Sequence, residues 1–189
     1  MLNTNGNLYS VNFISNKVIN WVRNFNTEDQ VVFNAMPLLT YNDKILITTD
    51  NKISLYTDTG LRIWDLNLST EIAPVKSGNS IFMINEDNYL IIINEKNGEI
   101  IFSKKIYNIL RDSSEKKLSN KIKKIRHLFI SYKKLILISD NSFFLEIDLN
   151  NKMNISSIRK KPFFVGSDII SIKDQLMLIS KKNRLYQLF

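Results

Sequence analysis

Asp50-Asn51-Lys52-Ile53-Ser54-Leu55-Tyr56-Thr57-Asp58-Thr59-Gly60-Leu61-Arg62-Ile63-Trp64 is the stretch on which the fold of this chain is decided. A polar turn at Asp50-Asn51 leads into an alternating run from Ile53 to Tyr56, and a second turn, Asp58-Thr59-Gly60, leads into Leu61 to Trp64. Two short β-type runs joined by a glycine-bearing connection read as a hairpin.

The hairpin recurs. Its opening polar residue stands at Asn7, Asn51, Asn88, Ser142 and Asn183, with spacings of 44, 37, 54 and 41 residues. A period of about 40 residues with variable loops is that of a four-stranded propeller blade. A large aromatic also recurs four residues after the turn: Trp21 after Lys17, Trp64 after Gly60 and Phe102 after Gly98. In the fourth copy Lys152 is followed at that distance by Ser156, with Ile155 beside it. An aromatic fixed in the last strand of a unit is expected to anchor that strand against the next sheet, because aromatic side chains bury a large area.

The first half of each unit supplies two further strands. They are Met36 to Thr40 with Lys44 to Thr48, Ala73 to Lys76 with Ser80 to Ile84, His127 to Ser131 with Lys134 to Ile138, and Asp168 to Ile172 with Gln175 to Ile179. Asn42-Asp43, Gly78-Asn79, Tyr132-Lys133 and Lys173-Asp174 lie at the turns, mostly with the residue types that tight turns favour. Leu90 to Ile93, Leu135 to Ile138 and Phe143 to Leu145 are apolar without interruption, as strands buried on both faces are. Stacked blades require such strands. The reading is all-β: a β-propeller of four-stranded antiparallel blades, about four present and the ring incomplete. As a single domain over 1–189 it divides into a partial blade (1–25), blades over 31–68, 72–106 and 127–158, and a partial blade (163–189). A basic insertion (107–126) interrupts them.

That insertion belongs to a longer stretch, Ile106 to Arg126, which lengthens the third interval. Leu118, Ile122 and Ile125 sit at helix-like spacing among Lys116, Lys117, Lys121, Lys123 and Lys124, so a short amphipathic helix or a basic loop is expected there. It is read as a solvated connection between blades, with contact to an anionic surface as the alternative.

With 189 residues and 44% hydrophobic content the chain is large enough for one sizeable core. The net charge of +8 is read as a lysine-rich solvated surface in a chain also rich in Ile and Asn. The absence of Cys excludes disulfides, thiolate metal sites and a cysteine nucleophile. Met1 to Gly6 does not have the pattern of a signal peptide. No apolar run approaches the ~20 residues a helical membrane span needs.

Leu55-Tyr56, Thr59-Gly60 and Trp64 resemble the pyrroloquinoline-quinone-like (PQQ-like) propeller repeat, with weaker copies at Leu8-Tyr9 with Trp21, Asn97-Gly98 with Phe102, and Leu185-Tyr186. The resemblance spans nearly the whole chain. Within that repeat family the chain is most similar to the propeller lipoproteins of the bacterial outer-membrane β-barrel assembly machinery. The resemblance implies a non-enzymatic scaffold on the periplasmic side of the outer membrane, whose partners are the central barrel-assembly subunit and unfolded barrel proteins. Complete members have about eight blades, so a chain with half that number is expected to be the C-terminal half of a longer protein or a product lacking its front half. Self-association through open blade faces is a second expectation.

Two other functions are weighed against the scaffold. A quinone-dependent dehydrogenase of the same repeat family would need a calcium-bound quinone, an acidic base and commonly a vicinal cysteine pair, and this chain has no Cys. Asp140, Asp148 and Asp168 fall at turns and strand ends, where structural roles are expected. A nucleic-acid-binding module is suggested by the lysine-rich insertion and by Arg159-Lys160-Lys161, but the aromatics lie on expected core strands rather than between the basic residues. His127 is the single histidine and opens a strand; a structural role is expected of it. The five glycines are scattered one per turn and form no phosphate loop. Trp21 and Trp64, at equivalent places in successive repeats, are read as packing residues. No catalytic, cofactor-binding or metal-ligating residue is assigned, and no cofactor.

Overall fold

Within each sheet of the computed structural model, every strand pairs antiparallel with the next one along the chain, so each sheet is a meander of hairpins. The structure describes residues 2, 6–11, 21–24, 36–49, 51–113, 116–150, 153–167, 169–172 and 175–188. Within them five sheets follow in chain order. The first contains β1 (Asn7–Ser10) and β2 (Trp21–Asn24). The second contains β3 (Leu39–Tyr41), β4 (Lys44–Thr48), β5 (Ile53–Thr57) and β6 (Arg62–Leu66). The third contains β7 (Val75–Ser77), β8 (Ser80–Ile84), β9 (Tyr89–Asn94) and β10 (Ile100–Lys105). The fourth contains β11 (Ile125–Ser131), β12 (Lys134–Ser139), β13 (Phe143–Asp148) and β14 (Ile155–Lys160). The fifth contains β15 (Ile170–Ile172), β16 (Gln175–Ile179) and β17 (Leu185–Gln187). Among the described residues the first and last sheets are separate, so pairing between them closes no ring.

The uninterrupted apolar strands are divided between two neighbours. In β8 and β9, Ile81, Met83, Ile91 and Ile93 pack with Leu46, Ile53, Leu55 and Trp64 of the second sheet. The intervening Phe82, Ile84, Leu90 and Ile92 pack with Leu128, Leu135, Leu137 and Leu145 of the fourth. On the fourth sheet Ile136, Ile138 and Phe144 turn instead to Leu178 of the fifth. Side chains alternate across a strand, so a continuous apolar run covers two interfaces at once.

Backbone geometry accounts for several of the repeating polar residues. Asn88, Ser142 and Asn183, the residues on which three of the repeats align, have φ of 61°, 69° and 56°. Asn tolerates this left-handed region better than most residues. In the first repeat Gly6, one residue before Asn7, holds the left-handed place with φ 75°. The two-residue turns Asn42-Asp43 (φ 42° and 57°) and Tyr132-Lys133 (φ 46° and 60°) are left-handed at both positions, matching the twist of the hairpins they join. Lys173-Asp174 lies outside the described residues.

Two expectations need correction. The helix in the connecting segment is α1 (Ile106–Arg111), and around Leu118 and Ile122 the structure has the basic-loop alternative rather than a helix. Ile106, Ile109 and Leu110 give the i, i+3, i+4 apolar face, and all three are buried in the cluster shared by the third and fourth sheets. Leu118 ends a single 3-10 turn (Lys116–Leu118), Ile122 follows it, and Ile125 already belongs to β11, paired with Ser139. Strand β11 thus opens two residues before His127. In the fourth repeat, Met153 (φ 59°) takes the place of Gly98, because Asp148 N–H bonds to Asn154 C=O as Asn94 N–H does to Glu99 C=O. The register then sets Ser157, not Ser156, where Phe102 and Trp64 stand. Lys152 lies outside the described residues.

Candidate functional site

The first strands of successive sheets converge, and the residues leading into or along them line a groove of about 310 Å³. Met36 and Pro37 precede β3, Ile72 and Ala73 precede β7, Leu128 and Phe129 lie on β11, and Ile169 precedes β15. These make an apolar floor. Glu71, Arg126 and His127 add polar groups at its wall.

Two of those polar groups, Glu71 and Arg126, belong to a network that ties the segment before β7 to the fourth sheet. Arg126 Nη1 donates to Glu71 Oε2 at 3.0 Å and its Nε donates to Asp140 Oδ1 at 2.9 Å. Lys124 Nζ donates to Glu71 Oε1 at 2.8 Å. Glu71 is held below the ordinary carboxylate range, first by the Lys124 hydrogen bond and then by the Lys124 and Arg126 charges, which together outweigh its desolvation. The two carboxylates balance the two cations, so the rim is locally neutral and fixed in direction. Asp140 therefore acts within an ion-pair network. Asp148 accepts the backbone N–H of Asn150 at 2.8 Å, a turn contact. His127 is half-buried in β11 and lines the groove. Asp168 lies outside the described residues. Among the described residues no three His, Cys, Asp or Glu gather to hold a metal ion.

A second polar centre locks the second sheet to the third. Glu95 is buried in the turn after β9, and its carboxylate reaches Lys44 at 2.6 Å and Lys76 at 3.3 Å. Its backbone carbonyl accepts the indole N–H of Trp64 at 2.8 Å. Burial pushes the Glu95 carboxyl up, but the hydrogen bonds and charges of the two lysines prevail and leave it below its ordinary value. Trp64 packs against Gly98, where a Cβ would come within 2.9 Å of the ring. Trp21 repeats the arrangement one sheet earlier: a Cβ on Gly60 would come within 2.9 Å of its ring, and its indole N–H donates to Asp58 C=O at 2.8 Å. Both tryptophans are thus packing residues that join successive sheets, as their spacing suggests.

In the fourth sheet the paired positions of Leu55–Trp64 and Ile92–Phe102 are filled by Glu146 and Ser157. Burial raises the Glu146 carboxyl, yet the hydrogen bond from Lys134 at 2.7 Å and the charges of Lys134 and Arg159 bring it below its ordinary value. Lys160 and Lys161 lie over the rings of Phe143 and Phe144, at 5.5 and 5.9 Å. Two of the basic triplet are therefore engaged with buried aromatics of their own sheet, and Arg159 pairs with Glu146 at 3.5 Å.

The outer edges are the other accessible feature. On β6 and β10, the last strands of their sheets, Ile63, Ile100 and Ile101 are exposed, and Leu61 beside β6 is exposed as well. Sequence reasoning missed the groove and its ion pairs. The available signal was positional, since Met36-Pro37, Ile72-Ala73 and Leu128-Phe129 all stand at or just before the first strand of their repeats.

No protein-family model and no curated protein matches the sequence. Among solved structures the chain is similar to BamB from Moraxella catarrhalis, with TM-score 0.69 and 9% identity over 96% of this chain and 51% of that one. It is also similar to Myxococcus xanthus glutaminyl cyclase (TM-score 0.55, 11% identity, 89% of this chain and 75% of that one). A third likeness is to the WD40 domain of Neurospora crassa Pan2 (TM-score 0.54, 10% identity, 82% of this chain and 46% of that one). The chain spans about half the length of the BamB chain. At these identities the likeness is one of fold: the chain is a partial β-propeller, consistent with the PQQ-like type.

Proposed function

We propose that this chain is a non-enzymatic protein-binding scaffold resembling the propeller subunit of the outer-membrane β-barrel assembly machinery. The observation that carries the reading is the groove where the first strands meet. Its apolar floor suits an inserted aliphatic or aromatic side chain, while Glu71, Arg126 and Asp140 offer oriented charges to the flanking groups of a partner. Apolar insertion with a charged rim is how protein interfaces are commonly built, and the groove is at the small end of ligand-sized cavities. The division into blades over 31–68, 72–106 and 127–158, with partial blades at 1–25 and 163–189, belongs to this proposal. So does a periplasmic setting at the inner face of the outer membrane, which rests on the likeness to BamB.

The test is titration calorimetry of the purified chain against the central subunit of the barrel-assembly machinery. The wild-type chain is expected to bind. Ala73→Arg, which fills the groove from a half-buried position, is expected to weaken binding at least about tenfold, the effect of losing one well-seated contact. A well-folded wild-type chain that does not bind would sink the specific assignment. Binding that Ala73→Arg leaves intact would remove the groove from it and turn attention to the outer strands, where a peptide adds by strand pairing.

A further inference from the structure

The charge of this chain is not spread over its surface. Between Lys104 and Lys124 the sequence carries eight basic and two acidic residues, a net +6 out of the whole chain's +8. Seven of the eight are lysines. The segment runs from the end of β10 through α1 and the 3-10 turn to the start of β11. Lys105, Arg111, Lys116, Lys117, Lys121 and Lys123 are exposed along it. Lys104 is tied to Asp112 at 2.8 Å and Lys124 to Glu71 at 2.8 Å. Lys116, Lys117, Lys121 and Lys123 are paired with no carboxylate among the described residues.

The segment is also held in place. Asn88 fastens both ends: its backbone carbonyl accepts Ile106 N–H at 2.9 Å and its side-chain oxygen accepts Ile125 N–H at 3.0 Å. Asn141 clamps the far side, donating to Lys121 C=O at 2.6 Å and accepting Lys123 N–H at 3.2 Å. The buried face of α1 anchors the middle. The lysine backbones are thus ordered before any partner arrives, which lowers the entropy lost on binding.

We propose that this segment is a docking surface for an anionic lipid bilayer. Lysine suits that partner: a compact, strongly hydrated charge on a flexible stem responds to an averaged negative potential and needs no fixed geometry. Tyr107, 40% exposed on the outward side of α1, supplies the amphipathic ring that settles at a membrane–water boundary. A single-stranded nucleic acid would call for several exposed aromatics between the basic residues, and α1 and the 3-10 turn offer only Tyr107. Four lysines with no carboxylate partner among the described residues, beside one interfacial aromatic, give reversible binding that depends on lipid charge and weakens with salt. None of Lys116, Lys117, Lys121 and Lys123 lines the groove, so their part can be tested apart from the partner proposed above.

The experiment is co-sedimentation of the chain with phosphatidylcholine vesicles, with and without about 30% phosphatidylglycerol, in about 0.1 M salt. Binding is expected to the anionic vesicles only and to fade as salt is raised. The variant Lys116→Gln, Lys117→Gln, Lys121→Gln, Lys123→Gln is expected to lose about fivefold in partitioning for each lysine removed, roughly six-hundredfold in all. The control Lys96→Gln, Lys133→Gln, Lys181→Gln, Lys182→Gln removes the same charge from exposed sites elsewhere and is expected to bind within a few-fold of wild type. Tyr107→Trp provides a reading on an otherwise unaltered patch, with a blue-shifted emission expected on addition of anionic vesicles. Equal binding to neutral and anionic vesicles, equal losses in the two quadruple variants, or an unshifted tryptophan in bound protein would each overturn the proposal. Tighter binding to a single-stranded RNA homopolymer than to the vesicles would replace the bilayer with nucleic acid.

Discussion

Gly98→Ala is the sharpest perturbation of the joint between the second and third sheets. Gly98 has φ +75°, where an L-residue is disfavoured by about 1–2 kcal/mol. Its new Cβ would also stand 2.9 Å from both Cγ and Cδ2 of Trp64, against the roughly 3.5–4.0 Å at which carbons rest. The ring must retreat by about 0.6 Å or more to relieve this. It is 8% exposed, packed in the core, and its Nε1 is fixed to Glu95 C=O at 2.8 Å, so retreat strains the same turn. Overpacking of this kind adds about 1–3 kcal/mol, for a total near 3 kcal/mol and a fall in Tm of about 6–12 °C in a chain of this size. Gly78→Ala is the matched control: φ is +55° and nothing lies within 4 Å of the added carbon, so only the backbone contribution of about 1–2 kcal/mol remains. Urea and thermal unfolding followed by far-UV circular dichroism would measure both. Placing Gly98→Ala in a Trp64→Leu background should bring its effect down toward that of Gly78→Ala. If Gly98→Ala is no worse than Gly78→Ala, the packing of indole on glycine is not what joins these sheets.

Tyr132→Asn with Lys133→Gly should stabilise the chain by about 1 kcal/mol, because both residues are left-handed and Tyr132 is 83% exposed, with little packing to lose; an unchanged or lower urea midpoint would contradict this. Glu95→Gln should destabilise by about 1–3 kcal/mol at neutral pH, since it leaves Lys44 and Lys76 without their partly buried counter-charge. The folded carboxyl of Glu95 lies below its ordinary value of 4.5, so its contribution is complete above that pH and lost as pH falls through the lower folded value. The stability gap between wild type and Glu95→Gln should therefore narrow on acidification below about pH 4.5, and a gap that widens there would refute the linkage. Asn88→Ala should destabilise by about 1–2 kcal/mol through loss of the bond to Ile125 N–H and of a residue suited to φ 61°, read by the same unfolding assays.

What could be read in the residues was whatever the repeat writes locally. The run Leu90 to Ile93 announced burial on two faces, and the recurring Trp21 and Trp64 announced an anchor against the next sheet. The helix was misplaced because lysines crowd Leu118 and Ile122 and draw the eye to an amphipathic pattern. The compact face of Ile106, Ile109 and Leu110, only two turns long, carries the helix instead. In the fourth copy, insertion of residues in the turn moved the left-handed place to Met153, and the aromatic comparison slipped by one. The groove was illegible for a different reason. Glu71 and Arg126 are 55 positions apart, and nothing local to either residue encodes that they meet.

The third sheet lends one face to the second and the other to the fourth, and this makes the molecule behave as a one-dimensional stack. Among the described residues each buried apolar cluster joins a sheet to its immediate neighbour, so cooperativity passes hand to hand along the row. Opening should begin at the ends, where β1–β2 and β15–β17 each meet fewer companions, and reach β8 and β9 last. Amide exchange should accordingly form a gradient, with the slowest protons at Ile91 to Ile93, and a weakened joint anywhere along the row should divide that gradient into two.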